Sequence, residues 1–228
     1  MKTSKLILSA LIGGTAAFSA VDSAHATASL QLIVGADVLT IPDGSSGDKN
    51  SDPGAVTWTG TFDGFSITFA GGTTKPALGS ATSPSMDIGT FLVSGGSGTL
   101  TLRFSDNGFG PTSGTAHALI TGSTTGTQTI TFNTYGGSSN TLFDLGQPLT
   151  SLGPLSGVIS SSASGGNLNL AGPYELTEEL IVSGEGSSSL DARLSVPDGG
   201  TTVALLGLAL VGVEGVRRKF GQRKAPVA

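Results

Sequence analysis

The chain has 228 residues, of which 36 are glycine, 12% are charged and none is cysteine. This length suits one domain plus targeting segments, and the absence of cysteine excludes disulfides, thiolate metal sites, a cysteine nucleophile and a lipid-modified cysteine. Residues 27–198 hold fourteen acidic and four basic side chains, whereas the C-terminal end is basic. An acidic body disfavours binding to nucleic acid.

The first 26 residues have the pattern of a secretory signal peptide. Lys2 and Lys5 precede an apolar stretch at residues 6–18, which is too short to span a bilayer comfortably. Ala24 and Ala26 supply the small residues that signal peptidase requires, so we predict cleavage after Ala26. The predicted partners of this segment are the Sec translocon and signal peptidase.

Residues 27–195 alternate polar and apolar side chains with a period of two, which predicts β-strands. The clearest strand places Leu100, Leu102 and Phe104 on one face and Thr101 and Arg103 on the other. The predicted strands are 30–34, 38–41, 56–58, 65–69, 91–93, 99–104, 117–121, 127–133, 174–183 and 190–194.

Turn-forming residues separate these segments. Loops are predicted at residues 42–54 and 73–85, a hairpin turn at Asp63-Gly64, and a strand end at residues 106–108. Residues 175–180 could form one helical turn, but the β-branched pair that follows favours a strand. Roughly nine to eleven short strands, with turns about every ten residues, predict an all-β antiparallel sandwich.

The body offers few side chains for catalysis. His117 is the one histidine left after the predicted cleavage, and no Gly-x-Ser-x-Gly motif accompanies it, so a structural role is favoured. Glu178 and Glu179 are adjacent, so on a strand they point to opposite faces and cannot flank one glycosidic bond. We therefore expect that the protein is not an enzyme.

One loop has the spacing of a calcium site. Asp48, Asn50 and Asp52 place oxygen ligands at alternate residues, as calcium-binding loops do. The positions where an EF-hand has glycine and glutamate hold Pro53 and Thr59, so a solvated turn is the favoured interpretation. We expect no cofactor, with calcium as the alternative.

The C-terminal segment, residues 196–228, has three parts. Its motif is predicted to be extended and accessible. An apolar helix at about 201–216 is predicted to cross the membrane, and the basic tail 217–228 is predicted to remain on the cytoplasmic side and stop further transfer of the chain. The 17 residues from Gly200 to Val216 span roughly 25 Å of helix, which is short for a ~30 Å hydrocarbon core. The motif residues are Val196, Pro197, Asp198, Gly199 and Gly200, and the membrane-stop residues are Arg217, Arg218 and Lys219.

Glu214 interrupts the apolar segment close to this basic cluster. It lies within one turn of Arg217 and Arg218, so it can pair with either of them. The positive-inside rule keeps the basic tail in the cytoplasm and leaves the body outside. Taken alone, this pattern also fits a permanent membrane anchor.

The order of motif, apolar helix and arginine cluster resembles the PEP-CTERM class of bacterial sorting signals. The stretch VPDGGTTVALLGLALVGVEGVRRKF is similar to the VPDSG-CTERM variant, with Gly199 where that variant usually has serine. The resemblance implies processing by an exosortase, a membrane cysteine transpeptidase thought to cut near the motif. It also implies a Gram-negative host that makes exopolysaccharide.

We therefore expect an exported structural β-sandwich protein that passes through a membrane-anchored intermediate. Its predicted destination is the cell surface or the extracellular matrix. The alternative is a carbohydrate-binding adhesin associated with exopolysaccharide, which exposed aromatics among Trp58, Phe62 and Phe65 would favour. A polysaccharide hydrolase is the third hypothesis, and it requires two carboxylates across a cleft.

Overall fold

A computed structural model describes residues 27–197, 206–214 and 217. The predicted signal peptide, residues 1–26, lies outside them. The strands are β1 (Ser29–Val34), β2 (Asp37–Pro42), β3 (Ala55–Phe62), β4 (Phe65–Thr73), β5 (Ser85–Gly95), β6 (Thr99–Phe109), β7 (Thr112–Thr124), β8 (Thr129–Gly137), β9 (Gln147–Leu155), β10 (Val158–Leu170), β11 (Tyr174–Ser183) and β12 (Ser187–Ser195).

These strands form two six-stranded antiparallel sheets, which we call sheet A and sheet B. Sheet A has the order β2-β1-β6-β11-β8-β9, and sheet B has the order β10-β7-β12-β5-β4-β3. All of the strand pairs are antiparallel, which confirms the predicted all-β, sandwich-like fold. Chain neighbours often lie in different sheets, so the strand order depends on long-range pairing.

The hairpin that joins β3 to β4 has the turn chemistry predicted from Asp63-Gly64. Asp63 has φ 43° and Gly64 has φ 83°, and Phe62 pairs directly with Phe65. Positive φ at both central residues is the requirement of the two-residue turn that matches strand twist. Glycine meets this requirement without steric cost, and aspartate tolerates it.

The hydrophobic core lies between the two sheets. Leu100, Leu102 and Phe104 of β6 are fully buried, as their alternation predicts, and they face the inner side chains of sheet B. The two sheets are in close contact at Gly72 of β4, where an added β-carbon would overlap the Phe104 ring. Glycine is therefore required at residue 72 by packing.

Strand β6 is longer than predicted, because residues 106–108 continue it to Phe109 instead of ending it. Phe109 pairs with Tyr174 at the start of β11, and the two rings lie 5.6 Å apart between centroids. Strand pairing and ring packing thus outweigh the turn-forming composition of these residues. The same extension carries the Asp106 side chain into the sandwich, where Lys75 meets it.

The sequence did not predict β9 and β10, and the total of twelve strands exceeds the expected nine to eleven. Each of the two strands lies at one edge of its sheet. In β10, a Ser- and Gly-rich strand, only Ile159 and Leu168 are buried. An edge strand needs few apolar side chains, so its alternation is too weak to recognise.

Candidate functional site

The sorting motif begins inside the folded body. Val196 follows β12, is fully buried, and donates its backbone N–H to the carbonyl oxygen of Pro84 at 3.0 Å. Pro197 is exposed, but its backbone lies against β7. A β-carbon added to Gly114 of β7 would come within 2.5 Å of the Pro197 carbonyl oxygen. The first two motif residues are therefore packed against the body, whereas the sequence predicted an accessible, extended segment.

The apolar part of the tail is helical at the described residues 206–214. Its large side chains are exposed, from 61% at Leu206 to 72% at Val211. Oε2 of Glu214 lies 3.5 Å from Nη1 of Arg217, which is one of the two predicted pairings. Among the described residues, no helix is both long enough and apolar enough to cross a membrane.

Other predicted signal residues lie outside the described part of the chain. The signal-peptide cleavage site, the second half of the motif and most of the basic cluster therefore stay predictions. So does the membrane span at about 201–216, which the structure describes only in part. The residues concerned are Ala24, Ala26, Asp198, Gly199, Gly200, Arg218 and Lys219.

Side-chain oxygens of Asp48 and Asn50, in the predicted calcium loop, accept hydrogen bonds from the backbone of the loop and of the adjoining strand β3. Oδ1 of Asp48 accepts the N–H groups of Asn50 and Thr57, both at 2.9 Å, and its Oδ2 accepts that of Gly44 at 3.1 Å. Oδ1 of Asn50 accepts the N–H of Asp52 at 2.9 Å. The Asp48–Asn50 and Asn50–Asp52 bonds are those of consecutive Asx turns, and they account for the alternate-residue spacing without a metal.

The part of the chain that the structure describes contains no group of three or more histidine, aspartate or glutamate side chains placed to hold a metal. Two carboxylates do approach each other, those of Glu175 and Asp144, which face the same space above Gly137. Burial, with a smaller contribution from the Asp144 charge, raises the pKa of Glu175. This pair is too small a ligand set to define a metal site.

The aromatic residues considered for sugar stacking pack against the core. Phe65 is fully buried, and Trp58 and Phe62 are half-buried against the core cluster. The Trp58 indole covers Gly60, where an added β-carbon would lie 2.7 Å from the ring. These three side chains thus form no exposed stacking platform.

His117 lies on β7 with an exposed side chain. Its Nδ1 is 2.8 Å from Oγ of Ser164, across the β7–β10 pair. A serine–histidine contact is one part of a nucleophilic triad, but a carboxylate must orient the histidine as well. The hydrogen bonds found for His117 in the described chain do not include a carboxylate.

Glu178 and Glu179 face opposite sides of β11, as the strand period requires. Glu179 accepts from Nε of Arg103 at 2.7 Å, from Nδ2 of Asn133 at 3.1 Å and from the Tyr135 hydroxyl at 3.3 Å. This polar network lies on the outer face of sheet A. Burial raises the pKa of Tyr135, and the negative charge of Glu179 raises it further.

Glu178 points into the core, on the same face as Leu176 and Leu180. It is completely buried, and neither carboxyl oxygen has a hydrogen-bond partner among the described residues. Burial raises the pKa of Glu178 well above its usual value, and the charge of Asp87 adds to the rise. The inner-face alternation of β11 was the signal that could have identified this residue.

A buried ion pair, which the sequence did not predict, joins Lys75 to Asp106. Nζ of Lys75 lies 2.6 Å from Oδ2 of Asp106, and the side chains are 5% and 0% exposed. The same Nζ donates to the carbonyl oxygen of Asn107 at 2.5 Å and lies 4.1 Å from the Phe109 ring centroid. No local pattern could reveal this contact, because a loop of sheet B supplies one residue and β6 supplies the other.

The comparison with protein families identifies the tail. Residues 195–220 match the VPDSG-CTERM motif, which agrees with the resemblance found in the sequence. The match starts at the last residue of β12 and extends beyond Arg217. The C-terminus is thus a sorting signal of the PEP-CTERM type, and such a signal is consistent with export. No curated protein matches the chain.

Two solved structures are similar to parts of the chain. One is a PA14 sugar-binding domain from an RTX adhesin, with 12% identity, a TM-score of 0.27, and coverage of 45% of this chain and 56% of that one. The other is from the infectious bursal disease virus Gx strain, with 15% identity, a TM-score of 0.35, and coverage of 84% and 54%. The chain spans about half the length of each, and these low TM-scores support no functional argument.

Proposed function

We propose that this protein is a structural component of the cell surface or extracellular matrix, delivered there by an exosortase-like sorting system. The observation that carries the proposal is the VPDSG-CTERM match at residues 195–220, which begins where the sandwich ends. Export through the Sec translocon and cleavage by signal peptidase precede this step. The inner membrane then holds the chain by its tail.

Each part of the tail has a physical task in this proposal. The basic residues around Arg217 stop the chain at the cytoplasmic face, and the apolar helix before them holds the motif at a fixed depth. The sandwich, which has an excess of acidic groups, then lies outside and is repelled by anionic lipid. A membrane transpeptidase can thus find the motif by position as well as by sequence.

The packing of Val196 and Pro197 limits where the tail is cut. A peptidase needs an extended segment that is free of the folded body, and Val196 is buried and hydrogen-bonded to Pro84. The bonds on either side of Val196 are therefore protected while the sandwich is folded. The released body keeps Val196 and Pro197 at its C-terminus.

The body favours a structural role over carbohydrate binding or hydrolysis. Trp58 and Phe62 pack on the core, and the adjacent carboxylates Glu178 and Glu179 lie on opposite faces of one strand. A glycosidase needs two carboxylates facing one substrate. Glu175 and Asp144 do face one space, but the Glu175 side chain is fully buried and out of reach of a polysaccharide. A stable sandwich with a polar outer surface is sufficient for a matrix component.

The proposal is tested by measuring how much protein the native host releases. Replacing Pro197 and Asp198 with alanine should leave an uncut precursor in the membrane fraction. Pro148→Ala, at an exposed proline of β9, is the matched control and should be released like the parent. Release of the Pro197/Asp198 variant at the parental level would contradict exosortase-like processing.

A further inference from the structure

An amine and a carboxyl group meet at one end of the sandwich, out of contact with water. Asp106 continues the inner face of β6 in sheet A, and Lys75 follows the end of β4 in sheet B. Nζ of Lys75 is 2.6 Å from Oδ2 of Asp106, with side-chain exposures of 5% and 0%. The carboxyl carbon is one covalent bond beyond Oδ2, so Nζ lies near the carbon atom that it would attack.

The surroundings of the pair exclude water and favour the protonated form of Asp106. The Phe109 ring lies 4.1 Å from Nζ, and Tyr174 packs against Phe109. Burial raises the pKa of Asp106, and the charge of Lys75 only partly opposes this effect. Transfer of one proton from Nζ to Asp106 yields a free amine beside a neutral carboxylic acid, the forms that react with each other.

The two oxygens of Asp106 are held differently. Oδ1 accepts the backbone N–H of Asn107 at 2.8 Å, which is the contact that would stabilise negative charge on this oxygen. Oδ2 accepts from Nζ of Lys75 and, at 3.1 Å, from the hydroxyl of Thr74. Oδ1 is thus placed to remain as a carbonyl oxygen, and Oδ2 is placed to receive protons and leave.

We propose that Lys75 and Asp106 become joined by an intramolecular amide bond between Nζ and Cγ. The lone pair of Nζ attacks Cγ, the C–N bond forms, and the C–Oδ2 bond breaks. Two protons of the original ammonium group leave with Oδ2, so that the only by-product is one water molecule. No oxidant or second substrate is required. The N–H of the new amide can donate to the Asn107 carbonyl oxygen, which lies 2.5 Å from Nζ in the structure.

The bond would give this chain a covalent cross-link, which it cannot form through disulfides because it has no cysteine. It would join residues 31 positions apart and connect the end of β4 in sheet B to β6 in sheet A. A covalent cross-link restricts the unfolded chain, as disulfides do in many exported domains. The proposal is independent of whether the tail is processed.

Tryptic digestion of the denatured protein, purified from its native host, tests the proposal. Trypsin cuts after Lys49, Arg103 and Arg193 but not between Lys75 and Pro76, so the two groups fall on separate peptides, 50–103 and 104–193. We expect one joined species, about 18 Da lighter than the two peptides together. Recovery of the two peptides as separate species of full mass would overturn the proposal.

Lys75→Arg is the matched control, because arginine keeps the positive charge but does not form this amide. Its peptides should separate completely. Water loss by cyclisation at Asp63-Gly64 also lowers the mass of a peptide but does not join two peptides, so the test distinguishes the two reactions. A joined species that persists in Lys75→Arg would place the link at other residues and overturn the proposal.

Discussion

The body and the tail use hydrophobic side chains in opposite ways. In the body, Leu102 is fully buried between two sheets, and its neighbours alternate between core and surface. In the tail, Leu208 and Val211 on the helix are 70% and 72% exposed. A helix that is apolar on every side suits an apolar medium, whereas an alternating strand suits a boundary between core and water.

The border between these two regions lies within the sorting motif. Val196 has the burial of a core residue, although the motif match includes it. The fold and the sorting signal therefore share residues, and a change at this position affects both.

The strongest test of the body compares two neighbours on β6. Leu102→Asp places an unpaired carboxylate in the core, which costs several kcal/mol and approaches the whole stability of a domain. Thr101→Asp lies on the outer face and should cost about 1 kcal/mol or less. Thermal melting of the two variants measures the difference, and equal melting points would contradict the assigned faces.

The junction provides the second test. Val196→Asp should lower the free energy of unfolding of the body by roughly 2–4 kcal/mol, because it buries a charge at the end of the core. Leu208→Asp is the matched tail variant and should leave the unfolding of the body unchanged. Urea denaturation measures both, and an unchanged midpoint for Val196→Asp would show that the motif lies outside the fold.

Glu178 makes the stability of the body depend on pH. Because its pKa is raised in the folded state, Glu178 keeps its proton there while the unfolded chain loses it. The contribution of Glu178 to stability is therefore fully present below the usual glutamate pKa and is lost as the pH rises towards its raised folded-state pKa, by up to about 1.4 kcal/mol per pH unit.

Glu178→Gln removes this contribution, so its stability should fall less steeply with pH than that of the parent. Urea unfolding at a series of pH values, compared between the two proteins, isolates the effect of this one group. Parallel curves would contradict a protonated Glu178 in the core.

The smallest effect is expected at the surface of sheet B. Arg193 donates to Asp87 at 2.8 Å, but the arginine side chain is 52% exposed. Solvent screening limits such pairs to about 1 kcal/mol or less, so Arg193→Ala should shift the melting temperature by only a few degrees. A loss as large as that of Leu102→Asp would show that this face is not at the surface.

The sequence predicted those features that depend on neighbouring residues. The alternation at Leu100, Leu102 and Phe104, and the turn at Asp63-Gly64, are local patterns, and the structure confirms both. The tail motif is also local, since three parts in a fixed order define it. All of these patterns can be read within about 30 residues.

Features that depend on distant contacts were not predicted. Edge strand β10 lacks an apolar alternation because many of its side chains are exposed to solvent. The Lys75–Asp106 contact joins two sheets across 31 positions, and the burial of Val196 depends on Pro84, far away in the chain. Sequence spacing contains no information about such pairs until the topology is known.

The mass of the protein that the native host releases into the medium tests the central claim most directly. The account predicts a mature form that begins near residue 27, keeps Val196 and Pro197, and lacks the apolar helix and basic tail from residue 203 onward. Peptide mapping of its C-terminus decides this. A released form that still contains residues 203–228, or one that ends at or before Val196, would contradict the account.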